Sequence, residues 1–166
     1  VRTQQNAVGT GTEHNIVIND HARSVEAIVF GVRLTGNLGS AIAEESDYRY
    51  YTDADGYIKN YQFSVGSSNV PQDKVTFGAE SLKHLEQALR PSFGENFKIG
   101  SQLNRNNYLK THANALKFVG RAFGGINLKS HPALDDVLSG VSASSGSIPI
   151  NMSLEFAAAP ASTSQL

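Results

Sequence analysis

The sequence predicts an all-β fold, an antiparallel β-sandwich with one inserted short α-helix. Several short segments alternate apolar and polar residues with the two-residue period of a strand. Long loops rich in glycine and serine separate these segments, and one segment alone has the spacing of a strong amphipathic helix. The 166 residues show no alternating rhythm of strands and helices, so a parallel sheet is not predicted.

The composition narrows the possible functions. A chain of 166 residues suits one domain with its own core. Charged residues make up 17%, below the usual share of about 25%, which indicates a surface either covered by other protein or rich in neutral polar groups. The net charge of −1 and the lack of a basic run argue against direct nucleic-acid binding. No apolar run approaches the length of a transmembrane segment, and there is no cysteine.

The first elements are an arm and two strands. Residues 1–14 are polar and rich in threonine and glycine, which predicts an extended N-terminal arm or linker. A short strand is predicted over Asn15–Ile18, where the folded domain, residues 15–157, begins. Residues 25–34 alternate with period two and are apolar on both faces at their start, which predicts a strand in the centre of its sheet.

A hairpin is predicted next. After a loop at residues 36–46, strands are expected over residues 48–51 and 57–65, joined by the sequence TDADG. The stretch SSNVPQD, residues 67–73, predicts a turn because it combines serine, asparagine, proline and aspartate. Residues 75–77 form a short strand at most.

The helix is predicted over residues 79–90, AESLKHLEQALR. Leu82, Leu85 and Leu89 fall on one face, and Pro91 is expected to end the helix. The residues predicted for its solvent-facing side are Glu80, Lys83, His84, Glu86 and Gln87.

The remaining chain contains two further strands. Residues 92–114 are loop-like, residues 116–123 predict a strand, and HPALDDVLSG at residues 131–140 could hold one helical turn. Residues 147–156, SIPINMSLEF, alternate without a break, and Pro149 places that end at a sheet edge or at the start of the strand. Residues 158–166 predict a flexible C-terminal tail.

The sequence YYTDADGYIKNY, residues 51–62, could be read as a calcium loop. With Gly56 at loop position 6, Asp53 and Asp55 occupy positions 3 and 5, but Tyr51 and Gln62 stand where the first carboxylate and the final glutamate are required. An Asp-Gly turn between aromatic strands is the better interpretation, because a primed turn needs positive φ.

Other residue types that carry chemistry do not form a recognisable site. No two of the histidines are spaced as a metal pair on a helix or strand. The adjacent pairs Asp135–Asp136 and Glu44–Glu45 point apart in turns or loops. We therefore predict no metal, no cofactor and no catalytic residues. The five histidines are His14, His21, His84, His112 and His131.

Two glycine- and serine-rich stretches fail as catalytic motifs. SGVSASSGS, residues 139–147, lacks the second glycine of a nucleophile elbow and predicts a flexible connector. GRAFGG, residues 120–125, lacks the spacing of a phosphate loop and predicts a bulge or tight turn. The chain is therefore predicted not to be an enzyme.

The order of the segments resembles the second, C-terminal jelly roll of double-jelly-roll major capsid proteins, the coat proteins of tailless icosahedral DNA viruses. The resemblance covers about residues 15–157. It is carried by RSVEAIVFGVRL, by YRYYTDADGYIKNYQFSVGSSNVPQ, by AESLKHLEQAL and by SGVSASSGSIPINMSLEF. The matching positions are Tyr61, Gln62, Phe63, Gly66, Ser67, Pro71, Ser139 and Gly140. A coat subunit of that family carries two jelly rolls, whereas this sequence holds one.

This resemblance implies an antiparallel jelly-roll β-sandwich with one inserted short α-helix and a structural function. The partners would be other copies of the capsid protein, in a trimer or pseudo-hexameric capsomer, together with minor capsid or penton proteins. The location would be the virion shell, assembled inside the host cell. Low charge and polar arms at both ends are consistent with lateral packing.

Two alternatives remain. One is a carbohydrate-binding or other ligand-binding β-sandwich module, suggested by the six tyrosines, although several of them cluster around one hairpin where cross-strand packing explains them. The other is an enzyme with a dispersed site, such as a hydrolase built on His112, Asp135 and a loop serine.

The last strand yields a mutational prediction. Leu154→Asp should destabilise the fold by several kcal/mol, because it places an unpaired charge in the core. Glu155→Ala, on the opposite face, is expected to be nearly silent in a monomer. Thermal unfolding measures both, and equal shifts in Tm would contradict the strand assignment.

Overall fold

A computed structural model describes residues 3–19, 24–34, 58–93, 123–129, 140, 149–157, 159 and 164–165. The elements within these ranges are β1 Ala7–Val8, β2 Glu13–Ile18, β3 Ala27–Gly31, β4 Arg33–Leu34, β5 Ile58–Val65, β6 Ser68–Thr76, α1 Ala79–Phe93, β7 Phe123–Asn127, β8 Ile150–Phe156 and β9 Ser164–Gln165. Every strand pairing among them is antiparallel. The prediction of antiparallel sheets with one inserted helix is therefore confirmed.

The described strands form three sheets. The largest has four strands in the order β2-β8-β5-β6, β3 pairs with β7, and β9 lies between β1 and β4. In the described part of the chain β3 pairs with β7 alone, and Val29 is 44% exposed, so the predicted central position of this segment is not observed.

Strand β8 forms the centre of the core. Its alternation is as predicted, with Ile150, Met152, Leu154 and Phe156 all buried at 2% exposure or less. Pro149 directly precedes the strand, as the missing amide donor predicts, and its carbonyl accepts the Gly66 N–H at 2.9 Å. On the same inner face β5 contributes large buried residues, namely Ile58, Tyr61 and Phe63.

The turn predicted at residues 67–73 is correct at Ser67 and wrong from Ser68 onward. Strand β6 begins at Ser68, and the two-residue turn is Gly66–Ser67, where Gly66 has a φ of 61°. A two-residue hairpin turn needs positive φ, which glycine supplies without strain. Residues 71–73, which belong to the predicted turn, lie within β6, and the pairing of β6 with β5 shifts in register between Tyr61 and Phe63.

The helix is longer than predicted. It runs through Pro91 to Phe93, so Pro91 does not end the helix as predicted, although it lacks the N–H that would bond the carbonyl four residues earlier. Leu85 and Ala88 are buried at 1% exposure, and Leu82 and Leu89 pack against the core.

The start of α1 is fixed by two side chains of its first turn. Glu80 Oε2 accepts the Thr76 N–H at 2.9 Å, and the fully buried Ser81 hydroxyl donates to the Gly78 carbonyl at 2.9 Å. These contacts tie the backbone just before the helix, at Thr76 and Gly78, to side chains of its first turn.

A pair of glycines in β7 lets the layers approach closely. The bulge or turn predicted over residues 120–125 is absent from residues 123–125, where Gly124 pairs with Phe30 and Gly125 with Val29 in a regular ladder, and the rest of that segment lies outside the described residues. A Cβ on Gly124 would lie 2.2 Å from the Phe30 ring, and one on Gly125 would lie 3.1 Å from Ala88 Cβ of α1. Neighbouring residues of a strand face opposite sides, so one glycine admits Phe30 and the other admits the helix.

Tyr61 links the four-stranded sheet to this region. Its buried hydroxyl donates to the Gly125 carbonyl at 3.0 Å, and its ring meets Phe30 edge to face with centroids 4.9 Å apart. Burial raises the Tyr61 pKa well above its ordinary value, although the Gly125 bond opposes this shift. The hydroxyl is therefore a neutral structural donor.

The arm and tail predicted at the two ends contain paired segments. Ala7 pairs with Gln165 and Val8 with Ser164, and Val8 is buried at 1% exposure. Strand β2 begins at Glu13, two residues before its predicted start.

The glycine pair yields a stability prediction. Gly124→Ala should destabilise the fold by about 1–3 kcal/mol, because the added methyl group collides with the Phe30 ring. Gly9→Ala is the matched control, since its Cβ would come no closer than 3.8 Å to His14. Urea unfolding of both variants measures the difference. A Gly124→Ala variant as stable as the control would contradict the close contact.

Candidate functional site

The outer face of the four-stranded sheet is the candidate site. Alternate residues of its strands fill the core, so the residues between them point outward. Six outward side chains across all four strands are uncharged and polar, and we call them the polar face. They are Asn15, Gln62, Ser64, Asn69, Asn151 and Ser153.

The strand register brings these side chains together. Asn15 and Gln62 both lie opposite Ser153, on its two sides, while Ser64 lies between Asn151 and Asn69. These residues form two neighbouring rows across the strands, and the rows border a shallow depression of about 200 Å³. Directly opposite residues on one sheet face have Cβ atoms about 5 Å apart, which allows several of these groups to meet one ligand or one partner surface.

Gln62 has a structural role at this face. It lies at the shift in register between β5 and β6, where its Nε2 donates to the carbonyls of Pro71 at 3.2 Å and Gln72 at 2.8 Å. The side chain thereby replaces ladder hydrogen bonds that the irregular strand cannot make. Gln62 stands where a calcium loop would require its final glutamate, and its amide is engaged with backbone carbonyls.

One end of the polar face carries a charge cluster. Glu155 Oε1 lies 2.6 Å from Lys59 Nζ, and Glu155 Oε2 lies 3.0 Å from Lys74 Nζ. The carboxylate joins β8 to both β5 and β6, and its side chain is only 16% exposed. Sequence alternation places Glu155 on the outer face but contains no signal that two lysines, 96 and 81 residues away, converge on it.

The two lysines change the acidity of Glu155. The hydrogen bonds from Lys59 and then Lys74 lower the pKa of Glu155 from 4.5 to about 2, with burial acting in the opposite direction. The charged form is therefore the one that the folded state stabilises.

The chemistry available at the polar face is hydrogen bonding. Amide side chains offer both donors and acceptors, and serine hydroxyls can do either. Among the described residues no group of three or more His, Cys, Asp or Glu side chains is placed to hold a metal ion. In that same part of the chain, no helix combines the length and apolarity needed to cross a membrane.

Most of the chemistry-bearing residues considered from the sequence lie outside the described residues. These are Glu44, Glu45, Tyr51, Asp53, Asp55, Gly56, His21, His112, His131, Asp135 and Asp136. The predicted hairpin at Asp55–Gly56, the helical turn within residues 131–140 and the site of the hydrolase alternative are therefore not described.

The two described histidines lie on different elements, His14 on β2 and His84 on α1. His14 Nε2 is 2.7 Å from the Gly11 carbonyl oxygen, and its ring meets Phe156 edge to face. His84 lies half-buried on α1, where burial lowers its pKa while Glu80 opposes the shift. His14 thus contacts a backbone carbonyl and a core ring, and His84 is partly buried against the fold.

Of the serine-rich connector, only Gly140 is described. Its N–H donates to Ser24 Oγ at 3.0 Å, and a Cβ at this position would lie 2.5 Å from the Val25 carbonyl oxygen. Close backbone approach is thus the reason for glycine here.

Comparisons with known protein families, with curated proteins and with solved structures gave no match for this chain.

The charge cluster predicts a pH-dependent stability difference. A carboxylate whose pKa is depressed in the folded state stabilises that state above its unfolded pKa, and this contribution disappears as pH falls towards the folded pKa. Glu155→Gln should therefore lower Tm at neutral pH, by the equivalent of about 1 kcal/mol or less per ion pair. The difference from wild type should shrink between pH 4.5 and about 2.

Glu13→Gln is the control, because Glu13 lies directly opposite Glu155 but forms no ion pair with Lys59 or Lys74 in the structure. Thermal unfolding across this pH range measures both variants. The structure also revises the expectation for Glu155→Ala, which should lose the same stabilisation. Identical pH profiles for wild type and Glu155→Gln would disprove the cluster's contribution.

Proposed function

We propose that this chain is a structural capsid component, one jelly roll of a viral major capsid protein that forms capsomers by lateral packing. Its partners are other copies of the same protein in a trimer or pseudo-hexamer, with minor capsid or penton proteins beside them, and its location is the capsid shell. The observation that carries this proposal is the polar face, where six side chains on four adjacent strands are uncharged.

An uncharged face is suited to burial against another protein. Charged residues are depleted at the centres of protein interfaces, because removing a charge from water is costly unless it is paired. Asn and Ser can donate and accept at once, so a copy of the same surface can satisfy them. Glu155 is paired with Lys59 and Lys74 at one end of this sheet, so these three charges lie away from the middle of the polar face.

The arrangement of the strands gives further support. Strand β8, the last long strand, returns beside β2, the first long strand, as a long connection does in Greek-key topologies. The helix lies between β6 and β7 in the chain, the position at which the resemblance to capsid jelly rolls expects one. These features favour a jelly-roll arrangement for the sandwich.

Assembly of the purified chain tests the proposal. Wild type should associate into trimers or larger particles as concentration rises, measured by light scattering and electron microscopy. Ser153→Arg should abolish this association without lowering Tm appreciably, because it places a charge in the middle of the polar face, between Asn15 and Gln62.

The control is Gln87→Arg, which adds the same charge on α1 rather than on the sheet. It should assemble like wild type. A wild-type chain that stays monomeric at all concentrations, or a Ser153→Arg variant that assembles normally, would contradict the proposed packing.

A carbohydrate-binding module is the second candidate. The observation that favours it is the depression bordered by Asn15, Asn69, Asn151 and Ser153, since amides and hydroxyls are suitable partners for sugar hydroxyls. A glycan array distinguishes it from the capsid proposal: a specific sugar bound by wild type and lost in Asn69→Ala would support the module, and no binder at millimolar concentration would eliminate it.

A further inference from the structure

The N-terminal segment blocks one edge of the four-stranded sheet with a single side chain. Gln4 Nε2 donates to the Val17 carbonyl at 3.0 Å, and Gln4 Oε1 accepts the Asn19 N–H at 3.0 Å. Gln4 Nε2 also donates to Asn6 Oδ1 at 2.9 Å, which holds the amide in place. The carboxamide thus occupies the Val17 carbonyl and the Asn19 N–H, two backbone groups that an added strand would need for its own ladder hydrogen bonds.

The backbone groups along this edge alternate in direction. The Thr12 carbonyl accepts the Phe156 N–H at 2.8 Å. The N–H and C=O groups of the even-numbered residues in this segment therefore point towards β8. The odd-numbered residues Glu13, Asn15 and Val17 therefore direct theirs away from the sheet. Among the described strands β2 is at the edge, and Val17 is 51% exposed there.

The two edges of the sheet differ in protection. The other edge strand, β6, contains Pro71, which lacks an N–H, and Lys74, and its pairing with β5 shifts in register. Proline, lysine and irregular pairing are devices that prevent strand addition at an edge. Strand β2, with the sequence EHNIVI, contains neither residue and pairs with β8 without a shift.

A second copy of β2 fits this edge. Antiparallel pairing about a two-fold axis at Asn15 places each Asn15 opposite its equivalent and each Glu13 opposite Val17 of the other copy. Like charges directly opposite each other would destabilise the pair, and this register places none in that position. The same pairing covers part of the exposed Val17 side chain and joins the two polar faces into one.

We propose that the β2 edge is a strand-addition surface for β2 of a second copy of this chain, and that Gln4 obstructs this surface by occupying its peptide groups. The partner is fixed by the register above, a two-fold contact that continues both four-stranded sheets. The inference deepens the proposed assembly function and rests on it, but it concerns the sheet edge, whereas the capsid proposal rests on the face.

Replacement of Gln4 tests the obstruction. Gln4→Ala frees the Val17 and Asn19 groups, and the dimer dissociation constant measured by sedimentation equilibrium should fall about tenfold, the effect of losing roughly two competing hydrogen bonds. Gln5→Ala, at the adjacent exposed position, is the control and should leave the constant unchanged. Equal association of wild type and a folded Gln4→Ala variant would overturn the proposal.

Single cysteines test the register, because the chain contains no other cysteine. In the Gln4→Ala background, Asn15→Cys should form a disulfide-linked dimer under mild oxidation, since hydrogen-bonded antiparallel partners have Cα atoms about 5.5 Å apart, within reach of a disulfide. Val17→Cys should not, because its equivalent lies four positions away along the partner strand. Cross-linking at Val17 alone, or equally at both positions, would overturn the register.

The same two cysteines in the unchanged background, at high protein concentration, provide the test if Gln4→Ala does not fold. The failures are also separable. Normal higher assembly by wild type, with no Asn15 cross-link in any background, would refute the edge contact alone. An Asn15-linked dimer in a chain that never assembles further would support the edge contact and count against the capsid proposal.

Discussion

The structure depends on the central position of β8 in the four-stranded sheet. Its four apolar side chains are almost completely buried, and the residues between them form the middle of the polar face. Because side chains alternate with a period of two, one strand determines the composition of both surfaces at once. A shift of one residue would bury Asn151 and Ser153 and expose Met152 and Leu154, so the apolar face fixes the register of both neighbours.

Close packing over β7 completes the interior. Two adjacent glycines leave room for Phe30 on one side and for α1 on the other, and the Tyr61 hydroxyl satisfies the Gly125 carbonyl between the layers. The Phe30 ring packs directly against the backbone of Gly124. Edge-to-face contacts then join Phe30, Tyr61 and Phe63.

The surface of the sheet separates into regions of different chemistry. At one end Lys59 and Lys74 pair with Glu155, the middle carries the uncharged polar face, and the two edges are protected in different ways. At β6, Pro71, Lys74 and the register shift within the strand oppose the addition of another strand. At β2, the Gln4 side chain does so by its hydrogen bonds to Val17 and Asn19. This asymmetry connects the two proposals, since assembly requires a surface that is soluble alone and still able to pair.

The sequence by itself determined the class of structure: the alternation of β8 and of β5 and the amphipathic helix follow from local periodicity, and the absence of alternating strands and helices favoured antiparallel sheets. Local signals were less reliable for turns, where Pro71 and its neighbours suggested a turn that the structure places within β6, and where Gly124–Gly125 suggested a bulge in what is a regular strand.

Only the tertiary structure decided which strands are neighbours, which residues converge on Glu155, and that Gln4 meets Val17 and Asn19. These contacts join positions far apart in the chain, and their geometry depends on pairing and register throughout the sheet. A periodicity read along one segment specifies which face a residue occupies, but it contains no information about the segment that will lie beside it.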